Sequence, residues 1–205
     1  WMHDAGVPSG GRVLDAGCGA GRRCLEFAEH FDEVVGIDLS APLLEVARSR
    51  RSHPRITYLT ADLTTFADER GFDVVFSHTT LHHVPDLEQA LLNLRDLVRP
   101  GGWIVLVDCV ASRPAIPKWI FRVGAVLSLP SDVRRHGWRN AAWLLCFRAT
   151  GPWLAHLASD RYLSPVEFEE RYGAVLEGAR IDRHHGFGRV MWLRPRVPSD
   201  PSTTR

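Results

Sequence analysis

Four aspartates, Asp15, Asp38, Asp62 and Asp108, each follow a short apolar run, and Gly17, Gly19 and Gly21 stand at alternate positions after the first of them. Glycines so placed let the backbone turn sharply and approach a ligand with no Cβ in the way. A helix starting behind them presents unpaired N–H groups and a partial positive charge. The stretch Arg12 to Gly21, RVLDAGCGAG, therefore reads as strand, turn and helix start built around a small polar ligand. A carboxylate ahead of the glycines repels a diphosphate and suits a cationic group. A dinucleotide fingerprint needs glycine or alanine at position 22, where Arg22 stands, and a phosphate loop needs a lysine, whereas the chain's one lysine is Lys118. Asp38 lies 23 residues beyond Asp15, near the roughly 20 that bring the acid of a second strand beside a ribose, where a carboxylate accepts both vicinal hydroxyls. Asp38 can equally cap the helix that begins near Ala41 and Pro42, and Asp62 can cap the turn after a third strand.

A second set of residues offers proton transfer. His78, His82 and His83 follow the apolar run from Phe72, and imidazole titrates near neutral pH. If the segment after Thr80 starts helically, His82 and His83 diverge and one of them faces the site; His82 is the first candidate for a general base. Asp108, Tyr162, His184 and His185 are further candidates. No group of His, Cys, Asp and Glu has metal-ligand spacing, so no metal is expected.

The elements that must position these groups alternate. Arg12 to Asp15, Glu33 to Ser40 and Ile56 to Thr60 read as strands, as do the run from Phe72 to His78 and Trp103 to Asp108. The spacing predicts a helix of about three turns after Gly21, a second over Pro42 to Arg51 and a third over Asp86 to Val98, which Arg99 to Gly102 stops. Continuous apolar strands fit a parallel sheet buried on both faces, with ligand groups at the carboxyl ends. Ser164 and Glu167 form a capping box that opens another helix, and Ala179 to Arg183 and Phe187 to Leu193 read as closing strands joined through His184, His185 and Gly186.

The motif D-x-G-x-G-x-G at Asp15 to Gly21, the acids at Asp38 and Asp62, and the phrase LVRPGGWIVLVD ending at Asp108 together resemble the class I S-adenosylmethionine-dependent methyltransferases, small-molecule type. The resemblance covers residues 12 to 109. It implies a Rossmann-like α/β fold: a doubly wound, mostly parallel seven-stranded sheet with an antiparallel last strand and a helical lid inserted after the fifth strand. It also implies that S-adenosylmethionine is held by Asp15, Ala16, Gly17, Cys18 and Gly19 at its methionine portion, by Asp38 and Leu39 at the ribose, by Ala61, Asp62 and Leu63 at the adenine, and by Ser77 and His78 at the amino group. Family members usually carry a helix or two ahead of the first strand, so either cover for the site comes from elsewhere in the chain or the sequence is trimmed at its start. A same-fold non-methyl transferase, a non-catalytic cofactor-binding module and a nicotinamide oxidoreductase remain the alternatives.

The domain expected is single, over residues 1–205, with a cofactor core at 12–109, an insertion at 112–163, a closing helix and strands at 164–194 and a flexible tail at 195–205. The insertion carries four of the seven tryptophans, Trp119, Trp138, Trp143 and Trp153, and eight cationic residues against Asp132 and Asp160. It reads as a lid over an apolar or aromatic small-molecule acceptor, or as a surface for a homodimer; a membrane face is a third reading. Lys+Arg of 25 against Asp+Glu of 24 gives no reason to expect nucleic acid, and the preference for arginine points to a GC-rich bacterial genome. The absence of a long apolar run and of signal-peptide features at the start makes the cytoplasm the expected compartment, with no stable membrane insertion. The cysteines, Cys18, Cys24, Cys109 and Cys146, are expected to be reduced and buried.

Overall fold

The computed structural model describes residues 6–111, 118–151 and 161–196. The expectations placed on Trp1, on residues 112–117, on Trp153 and its neighbours in 152–160, and on the tail from residue 197 lie outside the described residues. Seven strands, β1 Arg12–Ala16, β2 Glu33–Asp38, β3 Ile56–Thr60, β4 Phe72–His78, β5 Val98–Cys109, β6 Arg180–His184 and β7 Phe187–Leu193, form one sheet in the order β3-β2-β1-β4-β5-β7-β6. β7 runs antiparallel to both β5 and β6, and the other pairings are parallel. The helices are α1 Arg22–Phe27, α2 Ala41–Arg50, α3 Leu87–Leu97, α4 Lys118–Ala149 and α5 Pro165–Val175.

The central strands are apolar throughout because both faces of the sheet are covered, and alternate residues serve different layers. Val13, Val34, Val74 and Val105 pack with Cys24 and Phe27 of α1 and Leu44 and Ala47 of α2. Leu14, Ile37, Val75 and Leu106 point the other way, toward Leu91 and Leu94 of α3 and Phe168 and Tyr172 of α5. The chain leaves β1 for β2 and β3 on one side and returns to β4 on the other. This reversal opens a crevice beyond the carboxyl ends of β1 and β4, the place where doubly wound sheets hold ligands.

Three local expectations are corrected. α1 is six residues long instead of three turns, and the chain beyond it buries Phe31 from a turn. Arg99 to Gly102 does not separate helix from strand: β5 starts at Val98, directly after α3, and pairs Phe72 with Val98 and Val74 with Trp103. The surplus residues bulge from the ladder, and Gly101 takes φ +82°, a conformation open to glycine. Cys146 is exposed, and Cys18 and Cys109 are half-buried, so Cys24 alone of the four is a core side chain. Among the described residues no helix is long and apolar enough to cross a membrane.

Candidate active site

The turn after β1 is fixed by its own backbone. The amides of Gly17 and Cys18 both donate to the Ile37 carbonyl, at 2.8 and 2.9 Å, which ties the turn to the end of β2. Gly17 has φ +80°, and a Cβ there would lie 2.2 Å from Thr80 Cγ2. The threonine takes the space that glycine leaves, and its hydroxyl donates to the Gly17 carbonyl at 3.3 Å. Gly19, at φ +52°, has nothing nearer to its missing Cβ than Leu43 at 3.9 Å, so the backbone there faces open space.

Asp15 sits under this turn, 2 % exposed, with the Cys24 thiol donating to its Oδ2 at 3.2 Å. Burial pushes its carboxyl up to about 7, against which the Cys24 hydrogen bond and the charge of Arg23 act only in part. Asp38, at the tip of β2, accepts the Gly19 amide on Oδ2 at 2.7 Å and the Ser40 amide on Oδ1 at 2.8 Å. It thus joins the glycine turn to the start of α2, and each oxygen keeps a second lone pair. Asp62 accepts from both the amide and the hydroxyl of Thr64, at 2.8 and 2.7 Å, and these bonds hold its carboxyl below the usual range. Asp62 therefore caps the turn after β3, as its sequence also allowed, whereas Asp38 does not cap α2, whose N-cap is Ser40 without a side-chain cap hydrogen bond.

At the end of β4, the Ser77 hydroxyl is buried and donates to the Ala16 carbonyl at 2.7 Å. The ring of His78 stacks between Phe76 and Phe187, with centroids 6.4 and 6.2 Å away. Burial first, and the charge of Arg23 next, hold this imidazole below its ordinary pKa. Thr79 follows at φ +52°, a rare conformation for a β-branched residue, anchored by its amide on the Val107 carbonyl at 2.8 Å.

Asp15, Gly17, Cys18, Gly19, Asp38, Asp62 and His78 line one cleft of about 890 Å³ that extends to His83, whereas Ala16 and Ser77 are buried outside its lining. His82 does not line this cleft either. It lies on a single 3₁₀ turn, Leu81–His83, and lines a separate cavity of about 240 Å³ that shares Val84 and Pro85 with the cleft. There His82 Nδ1 is 2.5 Å from Asp108 Oδ1, with both side chains buried. The Cys109 amide donates to Asp108 Oδ1 at 2.9 Å and the Tyr172 hydroxyl to Oδ2 at 3.3 Å. Burial, and then Asp108, push the Tyr172 phenol well above its usual value, so it stays a donor. Tyr162 stacks on the His82 ring at 5.1 Å, and Phe168 completes the aromatic wall.

Three features escaped the sequence. The His82–Asp108–Tyr172 network joins residues from a 3₁₀ turn, the end of β5 and α5, which chain spacing cannot connect. The ligand atoms of His82, Asp108 and Cys109 also lie within 4.8 Å of one another, a donor grouping that spacing did not reveal, although both Asp108 oxygens are already engaged by protein donors. Thr80 was visible only as a polar exit from β4, with no signal of its contact with Gly17.

A doubly wound sheet with a glycine turn and acids at its switch point defines a Rossmann-like protein that binds a nucleoside-bearing ligand. Residues 14–106 match the methyltransferase domain family. Over 204 residues, 95 % of this chain and 93 % of theirs, the chain is 34 % identical to uncharacterized methyltransferases of Mycobacterium bovis and Mycobacterium tuberculosis. Malonyl-[acyl-carrier protein] O-methyltransferase of Salmonella typhimurium is 37 % identical over 136 residues, 62 % of this chain and 53 % of that protein. Among solved structures, the DhpI–SAH complex shares the fold at a TM-score of 0.63 and 23 % identity, covering 95 % of this chain and 80 % of its own. The chain belongs to the class I S-adenosylmethionine-dependent methyltransferases.

Proposed function

We propose that this methyltransferase methylates a small apolar or aromatic molecule seated against His82, with His82 as the base that receives the acceptor's proton. The observation that carries this is the buried His82–Asp108 pair, which lines a cavity adjoining the large cleft. The residues of the cleft fit S-adenosylmethionine. The buried Asp15 carboxyl suits the cationic methionine end, the open backbone at Gly19 admits a close ligand, and Asp38 keeps lone pairs for ribose hydroxyls. Ala16, Gly17 and Cys18 would border the methionine portion with Ser77 and His78, Leu39 the ribose, and Ala61, Asp62 and Leu63 the adenine. The fold shared with a protein solved with SAH supports this assignment. When bound, S-adenosylmethionine supplies a methyl group on a cationic sulfur, open to in-line displacement.

The chain's own work is to orient the acceptor and hold its proton. Asp108, fixed by the Cys109 amide and the Tyr172 hydroxyl, accepts a hydrogen bond from Nδ1–H of His82 and so leaves Nε2 as the basic nitrogen. An acceptor hydroxyl placed at Nε2 gives up its proton there as its oxygen becomes nucleophilic. Tyr162, Phe168 and Leu81 supply the apolar and aromatic walls, and at about 240 Å³ the space fits a single-ring molecule. In this division of labour residues 12–109 hold the cofactor, Arg161 to Leu163 wall the acceptor cavity, and 164–194 close the sheet and complete that wall through α5.

A panel of phenols and enols incubated with methyl-labelled S-adenosylmethionine tests the reading. With an accepted substrate, His82→Gln is expected to lower kcat by roughly 10²- to 10⁴-fold, while cofactor affinity stays unchanged. A kcat within twofold of wild type would remove His82 from the chemistry.

A further inference from the structure

Helix α4 encloses a polar group and exposes an apolar stripe. Ser128 and Arg148 lie 20 residues apart, which in a straight helix would separate them by about 30 Å. Arg148 instead donates to the Ser128 hydroxyl at 2.7 Å and to Asp132 at 2.5 Å. The reversal is at Gly137, whose φ of +76° and ψ of 164° are not helical. α4 is therefore a hairpin of two helical arms, and the face between the arms holds the polar group Ser128, Asp132 and Arg148 with the small buried residues Ala125 and Ala141.

Phe121, Leu129, Val133, Leu144 and Leu145 of this hairpin are half-buried, but a second set of large apolar residues lies on its outer surface. On the first arm Trp119, Val123, Val126 and Leu127 recur at helical spacing, and all are exposed, Leu127 by 75 %. On the second, Trp143 and Phe147 stack in parallel at 5.3 Å, and both are exposed. The turn between the arms, opposite the two chain connections, reads Arg134, Arg135, His136, Gly137, Trp138, Arg139; every one of these residues is exposed, and Trp138 by 73 %. Residues 118–151 carry six cationic side chains against one acid, Asp132, and that acid is already paired with Arg148. An ordinary surface helix turns its apolar stripe inward and its polar side to water; this hairpin leaves an apolar stripe in water beside its exposed arginines.

We propose that the α4 hairpin is a peripheral membrane anchor: its basic turn docks on anionic lipid headgroups while Trp138 and the outward apolar stripes enter the interfacial layer. Charge complementarity and the apolar stripes select this partner together. Tryptophan and short apolar stripes are at home at the boundary between headgroups and acyl chains, and clustered arginines are drawn to an anionic leaflet. Nucleic acid would satisfy the arginines but leave Val123, Val126 and Leu127 in water. A second copy of the chain would bring the same positive surplus against itself across a two-fold axis. The anchor would place the enzyme beside apolar acceptors dissolved in the bilayer, yet the inference does not depend on methyl transfer, because lipid binding is read without cofactor or acceptor.

The test is co-sedimentation of the full chain with vesicles of phosphatidylcholine alone and of phosphatidylcholine mixed with phosphatidylglycerol. Expected is partition onto the anionic vesicles, weakened by salt, with tryptophan fluorescence quenched by brominated acyl chains. The triple variant Arg134→Gln, Arg135→Gln, Arg139→Gln should lose on the order of 100-fold in partition, at about 1 kcal/mol per cation near the surface. Trp138→Ala should lose part of the quenching. These side chains are exposed, so circular dichroism and the thermal midpoint of both variants should match wild type. No partition onto either vesicle would overturn the proposal, as would anionic partition undiminished in the triple variant. Dimerisation through the hairpin or oligonucleotide binding, in a chain that ignores lipid, would overturn it too.

Discussion

Asp15 shows how a ligand site is held ready at a cost to the fold. Its carboxyl is raised to about 7 by burial, against an ordinary value of 3.8, so between those limits the folded chain holds a proton that the unfolded chain releases. Stability is therefore unaffected below about pH 4 and falls as pH rises through 7, by at most about 4 kcal/mol. Asp15→Asn removes that charge while keeping an oxygen for the Cys24 thiol. It is expected to melt with wild type at pH 4 and several degrees above it at pH 8, while losing affinity for a cationic ligand. Thermal melts at the two pH values check this, and a variant less stable than wild type at pH 8 would refute it. A ligand with a positive charge should also expel the Asp15 proton on binding near pH 7. At this scale the order Asp15, Gly17, Gly19, Asp38, Asp62 was legible, because a strand end and a turn are local features. The partners of these residues were not: the bond from Gly19 to Asp38 crosses from one strand end to another, and the pairing of His82 with Asp108 depends on β4 and β5 lying side by side.

Among the elements, α5 was readable at its N-terminus because a capping box is written in four consecutive residues. Ser164 accepts the Glu167 amide at 3.3 Å, and Glu167 accepts the Ser164 amide at 2.9 Å. This cap sets the first turn of the helix that brings Phe168 and Tyr172 to the cavity beside His82. Ser164→Ala is expected to cost about 1 kcal/mol, or roughly 2–4 °C in thermal midpoint for a chain of this size. Calorimetric melting checks it; an unchanged midpoint would show that packing of Phe168 and Tyr172 alone fixes the helix. Arg99 to Gly102 shows the opposite case. Proline and paired glycines signal a break, and α3 does end there, but pairing with β4 draws the segment into β5 as a bulge. Tertiary pairing overrode the local signal, as it also shortened α1 once Phe27 and Phe31 had reached the core.

For the whole molecule, alternation of apolar strands and helices was enough to imply a doubly wound sheet, and the sheet's reversal beside β1 explains why acids far apart in sequence share one cleft. The polarity of α4 was not legible in the same way. Helical spacing of Trp119, Val123 and Leu127 is visible in the sequence, but a stripe normally points inward, and only the contact between Arg148 and Ser128 shows the polar face enclosed. The central claim, that this cleft binds S-adenosylmethionine through its strand-end acids, is tested most directly by calorimetric titration of the cofactor and its demethylated product into wild type and Asp38→Ala. Wild type is expected to bind both, and the variant, with a thermal midpoint showing it folded, to bind at least tenfold more weakly for loss of charge-assisted hydrogen bonds. Wild type that binds neither ligand, or a folded variant that binds as tightly as wild type, would contradict it.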